Sequence, residues 1–132
     1  LGRRFRALKL WFHLRLEGVE AIRARLRRDL RNAQWLADQV RATPDWEVLA
    51  PVQLQTVCVR HAPEGITGAA LEEHTTRWAA AVNASGRAFV SPSLLEGKWM
   101  VRVSIGAEAT ERDDVAAVWA LMQECASRRP QG

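Results

Sequence analysis

The 132-residue sequence lacks several features that whole classes of protein require. It has only two cysteines, so a disulfide framework is implausible, and a reducing compartment, by default the cytoplasm, is expected. No apolar run approaches the roughly 20 residues of a membrane-spanning helix, because charged residues interrupt every segment. The first residues are interrupted by basic side chains and lack a small-residue cleavage site, which is not the pattern of a secretory signal.

Groups suited to metal binding or catalysis are sparse as well. The histidines, His13, His61 and His74, are scattered, and none has a second histidine or a cysteine at metal-ligand spacing, so no metal site is predicted. Cys58 lies in an apolar strand pattern and Cys125 near the end of a helical one, which favours small, buried or half-buried residues over nucleophiles. The residues alone therefore predict no catalytic group.

Lysine is also scarce, and the basic charge is concentrated at one end. Of 19 basic residues only Lys9 and Lys98 are lysines. Residues 1–31 carry ten basic and three acidic side chains, a net charge of +7, whereas the other 101 residues carry nine basic and twelve acidic ones, a net charge of −3. Such asymmetry is found in proteins that bind nucleic acid or an anionic membrane, and equally in faces that dock within the same protein. Composition leaves these alternatives open.

Hydrophobic spacing predicts two helices in the first third of the chain. Apolar residues recur every three or four positions over residues 2–17, and Gly18 ends this helix. A longer stripe over residues 19–40 predicts a second helix that stops before Pro44, because the residue ahead of a proline disfavours helical geometry.

After Pro44 the period changes to two, which predicts two β-hairpins. The second hairpin is expected to turn around Pro92 and Gly97. In its last strand Arg102 alternates with apolar neighbours, so it is either a surface residue or half-buried against a carboxylate or another domain. The predicted strands are residues 46–50, 54–60, 88–91 and 98–105.

Two further helices complete the pattern. Thr67 is expected to cap a helix that ends near Gly86, and Thr110 to cap a final helix with Asp113 and Asp114 in its first turn. The predicted order is α-α-β-β-α-β-β-α. It indicates a single α+β domain over residues 1–132, with connecting helices in 1–43 and, in 44–132, a four-stranded antiparallel sheet covered by helices.

Four strings carry a resemblance to a known family. The chain opens with LGRRFRALKLWF and continues with LQTVCVR at 54–60, VNASGRAF at 82–89 and WMVRVSI at 99–105. These strings resemble the group II pyridoxal-phosphate-dependent amino-acid decarboxylases, the family of the aromatic-L-amino-acid, tyrosine and histidine decarboxylases. The resemblance covers nearly the whole chain but only the C-terminal small domain of that family.

The resemblance implies a parent enzyme of fold type I. Its members are homodimers in which a large α/β domain holds pyridoxal 5'-phosphate and a small C-terminal domain packs beside the active site. The chain starts with Leu1 and with no capping residue ahead of its first helix, so we expect the large domain to be missing from it. The Schiff-base lysine of the family lies in a His-Lys motif of that domain, a role that neither Lys9 nor Lys98 takes. No catalytic or cofactor-binding residue is therefore expected here, and the fragment alone should be inactive.

The resemblance also implies roles for four residues. Gly2 matches a position near the substrate side chain, although it could simply be a turn residue. Arg102 matches a family arginine, and with Arg3 and Arg4 it is expected to support domain docking or the pocket. The expected partners are the missing large domain, a second subunit and an aromatic amino acid, with neither nucleic acid nor membrane. The alternative is a free-standing basic α+β module that binds nucleic acid or an anionic surface.

Overall fold

A computed structural model describes residues 4–128, and its eight elements follow the predicted order. The α+β fold class is therefore confirmed. No helix among these residues is both long and apolar enough to cross a bilayer. The elements are α1 Ala7–Leu16, α2 Gly18–Ala42, β1 Trp46–Val48, β2 Thr56–His61, α3 Gly68–Ala84, β3 Ser91–Leu95, β4 Lys98–Ser104 and α4 Arg112–Ser127.

The four strands form one antiparallel sheet in the order β1-β2-β4-β3. The two central strands, β2 and β4, pair with Cys58 opposite Arg102. On one face of these strands Val57, Val59 and Val101 are fully buried. That face packs against α2 and α3, which contact the strands, and α4 packs against both helices and meets β1 through Trp119 and Trp46.

The core lies between this face and the three helices. Trp78 on α3 and Met122 on α4 are fully buried in it. Complete burial of such large side chains contributes roughly 1.5–3 kcal/mol each relative to leaving them exposed. Other core residues are Ala33, Leu36, Ala37, Val40, Val82, Val90, Val103, Ile105, Val115, Trp119 and Leu121.

The apolar stripe of α2 is buried in its second half alone. Leu36 and Val40 are fully buried, whereas Leu26 and Leu30, earlier on the same stripe, are exposed. Helix α1 contains no buried residue and packs against α2. The first helix and the start of the second therefore leave most of their apolar side chains exposed.

The prediction for the third strand was wrong. We expected residues 88–91 with Pro92 in the turn, but β3 runs from Ser91 to Leu95 and includes Pro92. A proline is tolerated here because β3 is an edge strand, where one side of the backbone needs no ladder hydrogen bond. The segment before it is held instead by Asn83, whose side chain donates to the Val90 carbonyl at 2.9 Å and accepts from its amide at 2.7 Å.

The start of the last helix also differs from the prediction. Glu111, not Thr110, is the N-cap of α4, and it forms a capping box with Asp114. The Glu111 amide donates to Asp114 Oδ2 at 2.8 Å, and the Glu111 side chain accepts in return from the Asp114 amide. This reciprocal pair satisfies two donors where a threonine hydroxyl would satisfy one. Thr67 is the N-cap of α3 as predicted, but its side chain makes no capping hydrogen bond.

Candidate functional site

Three of the four residues predicted for the site lie at the start of the chain. Gly2 and Arg3 are outside the described residues. Arg4 is exposed and precedes α1. The structure therefore leaves the predicted role of Gly2 as a prediction.

Arg102, the fourth residue, lies in the middle of the sheet. On β4, Arg102 alternates with the buried Val101 and Val103. Its side chain therefore projects from the face of the sheet that is turned away from the helices, where it is exposed. It pairs with Cys58 on one side and Ser91 on the other.

The open face of the sheet, the side away from the helices, carries polar groups that bond across strands. Arg60 on β2 forms an ion pair with Glu47 on β1. Thr56 and Ser104 hydrogen-bond through their hydroxyls at 3.2 Å. In contrast, Arg102 takes part in no ion pair within residues 4–128. Its guanidinium is therefore available to a carboxylate or carbonyl outside this domain.

A second surface, which we call the apolar N-terminal surface, covers α1 and the residues beside it. Phe5 is 75% exposed and Leu16 82% exposed. Trp11 and Phe12 pack edge to face with centroids 5.1 Å apart, and together with Leu8 they remain about half exposed. So many exposed large apolar side chains on one short helix and just ahead of it indicate an interaction surface. Its residues are Phe5, Leu8, Leu10, Trp11, Phe12, Leu14 and Leu16.

The basic charge of residues 1–31 is partly neutralised within the domain. Arg25 bonds to Glu17 at 2.6 Å, and Arg28 bonds to Glu111 at 2.6 Å. The hydrogen bond from His13 lowers the pKa of Glu17, with Arg25 lowering it further and burial opposing both. Several other arginines remain exposed and unpaired within the described part of the chain, namely Arg4, Arg6, Arg27 and Arg31.

Two of the three histidines meet, contrary to the prediction that they are scattered. His61 Nδ1 and His74 Nε2 are 2.8 Å apart, and the His61 ring lies 4.8 Å from the ring of Trp46. Burial lowers the pKa of both histidines. The sequence contains a signal for this contact. His61 continues the alternation on β2 that places Val57 and Val59 on the inward face of the sheet. Within the described residues no third ligand joins the pair, so they form no metal cluster.

Comparison with known proteins relates the whole chain to one group of enzymes. Residues 1–62 match the family model "Pyridoxal-dependent decarboxylase conserved domain". The chain is 38% identical over 128 residues to tyrosine decarboxylase 2 of Arabidopsis thaliana, covering 97% of this chain and 24% of that protein. It is 37% identical over 127 residues to phenylacetaldehyde synthase of the same plant, covering 96% of this chain and 26% of that one.

The fold agrees with that relationship. The crystal structure of Catharanthus roseus tryptophan decarboxylase in complex with L-tryptophan superposes with a TM-score of 0.80 at 30% identity, covering 95% of this chain and 26% of that one. The chain therefore spans about a quarter of the length of the relatives that it matches. The alternative of a free-standing basic module finds no support among these relatives.

Proposed function

The chain belongs to the pyridoxal-phosphate-dependent group II decarboxylases, of which it forms a small domain, and from this we propose that it is the C-terminal domain of an enzyme that decarboxylates an aromatic L-amino acid. The observation that carries the proposal is the 38% identity to a tyrosine decarboxylase over 97% of the chain. The likeness to a tryptophan decarboxylase supports the aromatic substrate class. The large domain would belong to another part of the same protein.

The described residues do not fit pyridoxal phosphate itself. The cofactor needs a lysine for its aldehyde, held in a pocket with partners for the ring and the phosphate. Lys9 lies exposed on α1, and Lys98 lies exposed beside the turn at Gly97. We therefore propose that the cofactor binds in the large domain and that this chain alone is inactive.

The contribution of this domain would be docking and pocket support. We propose that the apolar N-terminal surface, with Arg3 and Arg4 at its start, packs on the large domain, and that Arg102 supports docking from the open face. The exposure of Phe5, Leu16 and Arg102 supports this assignment. Gly2 would lie beside the substrate side chain. We also propose that the parent enzyme is a homodimer and that it is cytoplasmic. The scarcity of cysteine supports the cytoplasmic location.

The test is to express the complete reading frame that contains this chain and assay the purified product with pyridoxal phosphate. We expect a frame several hundred codons longer, with a His-Lys motif, and release of carbon dioxide and amine from L-tyrosine, L-tryptophan or L-phenylalanine. The matched control replaces the motif lysine with alanine and should abolish the reaction. A start codon beside Leu1, or stoichiometric cofactor binding by the 132-residue chain alone, would refute the proposal.

A second candidate is the formation of an aldehyde from the same substrates. The 37% identity to a phenylacetaldehyde synthase favours it nearly as strongly. The same assay distinguishes the two reactions when amine and aldehyde are both quantified. Amine as the main product supports the decarboxylase, and aldehyde as the main product supports the synthase.

A further inference from the structure

Three side chains from two elements form a continuous chain of hydrogen bonds, here called the histidine chain. Arg77 Nη2 lies 2.8 Å from His74 Nδ1, and His74 Nε2 lies 2.8 Å from His61 Nδ1. A guanidinium can only donate, so His74 Nδ1 must accept and its ring proton lies on Nε2. That proton is donated to His61 Nδ1, which leaves the His61 proton on Nε2. The geometry thus specifies one neutral tautomer for each ring.

The histidine chain borders a cluster of three tryptophans. Trp46 on β1 lies 4.8 Å from the His61 ring, 5.5 Å from Trp78 on α3 and 4.8 Å from Trp119 on α4. His74 is 3% exposed and precedes Trp78 by one helical turn. The histidine chain therefore joins α3 to the open end of the β1–β2 hairpin, where β1 begins and β2 ends. Four elements, β1, β2, α3 and α4, meet at this point.

The charges around the two rings favour their neutral forms. Burial, with smaller contributions from His61 and Arg77, lowers the pKa of His74 to about 4. Burial also lowers the pKa of His61, and Asp45, in the turn before β1, opposes this effect. A proton on His74 Nδ1 would point a donor at the donor of Arg77, so the hydrogen-bond chain cannot persist in the charged state.

We propose that the histidine chain is an acid-sensitive connection that holds the end of the β1–β2 hairpin against α3 and releases it when the histidines are protonated. The inference is independent of the proposed enzymatic function. Because the folded-state pKa values lie below the unfolded value of about 6.5, the stabilisation is complete above about pH 6.5. It is lost as the pH falls from there towards about 4.

Amide hydrogen exchange in the 132-residue chain tests the release. The Ala62 amide, which donates to the Asp45 carbonyl at 2.7 Å, reports on the end of the hairpin. We expect its protection factor to fall roughly tenfold or more between pH 7.5 and 5.0 relative to the amides of the central pair Val57 and Val103, because the opened form binds protons more tightly. In a variant with His61→Phe and His74→Leu, this pH dependence should disappear.

Histidine titration by NMR gives a readout that a purely structural role would not produce. In Arg77→Met the donor facing Nδ1 is lost, so the pKa of His74 should rise, and its ring nitrogens should lose the single tautomer seen in the native chain. His13→Gln is the matched control, because His13 lies on α1 away from the tryptophan cluster and should leave Ala62 protection unchanged.

Three results would overturn the proposal. Equal relative protection of Ala62 at both pH values, or a pH dependence that survives in the double variant, would overturn the proposal. So would an unchanged titration of His74 in Arg77→Met. If the double variant does not fold, the tautomer and titration of His74 in the native chain and in Arg77→Met decide the question alone.

Discussion

Buried polar side chains on α2 connect that helix to the first residue of α4 and to the segment before β2. Asn32 is buried, and its Oδ1 accepts from Arg112 Nε at 2.9 Å. The Arg112 guanidinium also lies 4.9 Å from the ring centroid of Trp35. One turn earlier Asp29, 1% exposed, accepts from Gln55 at 3.2 Å. These bonds satisfy Asn32 Oδ1 and Asp29 Oδ2, whereas the buried Asp29 Oδ1 has no hydrogen bond and lies 3.5 Å from Arg28 Nε.

Replacement of Arg112 by alanine should therefore be costly. The change leaves the Asn32 amide oxygen buried without its donor, and we expect a loss of about 1–3 kcal/mol in the free energy of unfolding, measured by urea denaturation at pH 7.5. The control is Arg41→Ala, because Arg41 is exposed and pairs with Asp38 on the same helix. That change should cost less than about 1 kcal/mol. Equal losses in the two variants would contradict this account.

The tryptophans differ in how much they contribute to the free energy of unfolding. Trp78 is fully buried, so Trp78→Ala should lower the free energy of unfolding by about 3–5 kcal/mol, again measured in urea. Trp11 is 53% exposed on α1, and Trp11→Ala should leave the stability of the chain nearly unchanged. A large loss from Trp11→Ala would mean that α1 belongs to the folding core.

At the scale of elements, a two-residue turn connects β3 to β4. Glu96 has φ +49° and Gly97 φ +76°, and the closing pair is Leu95 with Lys98. Positive φ at both positions is the geometry of a type I′ turn, whose twist matches that of the strands. This turn explains why the hairpin closes at Gly97 and not at Pro92.

Adding a Cβ at Gly97 should strain this turn. We expect Gly97→Ala to cost about 1–2 kcal/mol, because left-handed backbone is unfavourable for L-residues, measured as a shift of the urea midpoint. Gly106→Ala is the matched control, because its new Cβ would meet only Gln55 Nε2 at an ordinary 3.9 Å. Equal urea midpoints for the two variants would contradict the predicted strain at Gly97.

The element order could be predicted because hydrophobic periodicity is a local property of the sequence. The two errors have different causes, because the strand at Pro92 depends on a non-local fact whereas the cap near Thr110 depends on a pair of residues three positions apart. Pro92 is accepted because β3 lies at a sheet edge. Glu111 replaces Thr110 as the cap because its side chain and Asp114 bond to each other's backbone amides.

At the scale of the whole molecule, the exposed apolar side chains of α1 contrast with the well-filled core. None of them is buried by the described residues, so they contribute little to the stability of this domain. Their coverage by another surface would remove a large apolar area from water, at roughly 25 cal/mol per Å². The apolar N-terminal surface is thus where association is expected.

A triple variant, Phe5→Ser, Trp11→Ser and Leu16→Ser, should reduce self-association of the 132-residue chain without lowering its melting temperature. Sedimentation velocity over a range of concentrations measures the first property and thermal unfolding the second. Glu72→Ser on the exposed side of α3 is the control and should change neither. Undiminished self-association would show that these side chains do not drive association of the chain, and a clear fall in melting temperature would show that they belong to its folded core.

Patterns along the chain were sufficient to predict the α+β class and the order of elements, and four strings carried the resemblance to the decarboxylase family, because both kinds of signal are local. Tertiary structure decided which half of the α2 stripe is covered, that Arg102 faces away from the helices, and that His61 meets His74. His74 follows His61 by thirteen positions and lies on a different element, so only packing of α3 on the sheet brings their nitrogens within 2.8 Å. Local patterns select the apolar faces of elements, whereas contact between side chains requires those faces to be packed together.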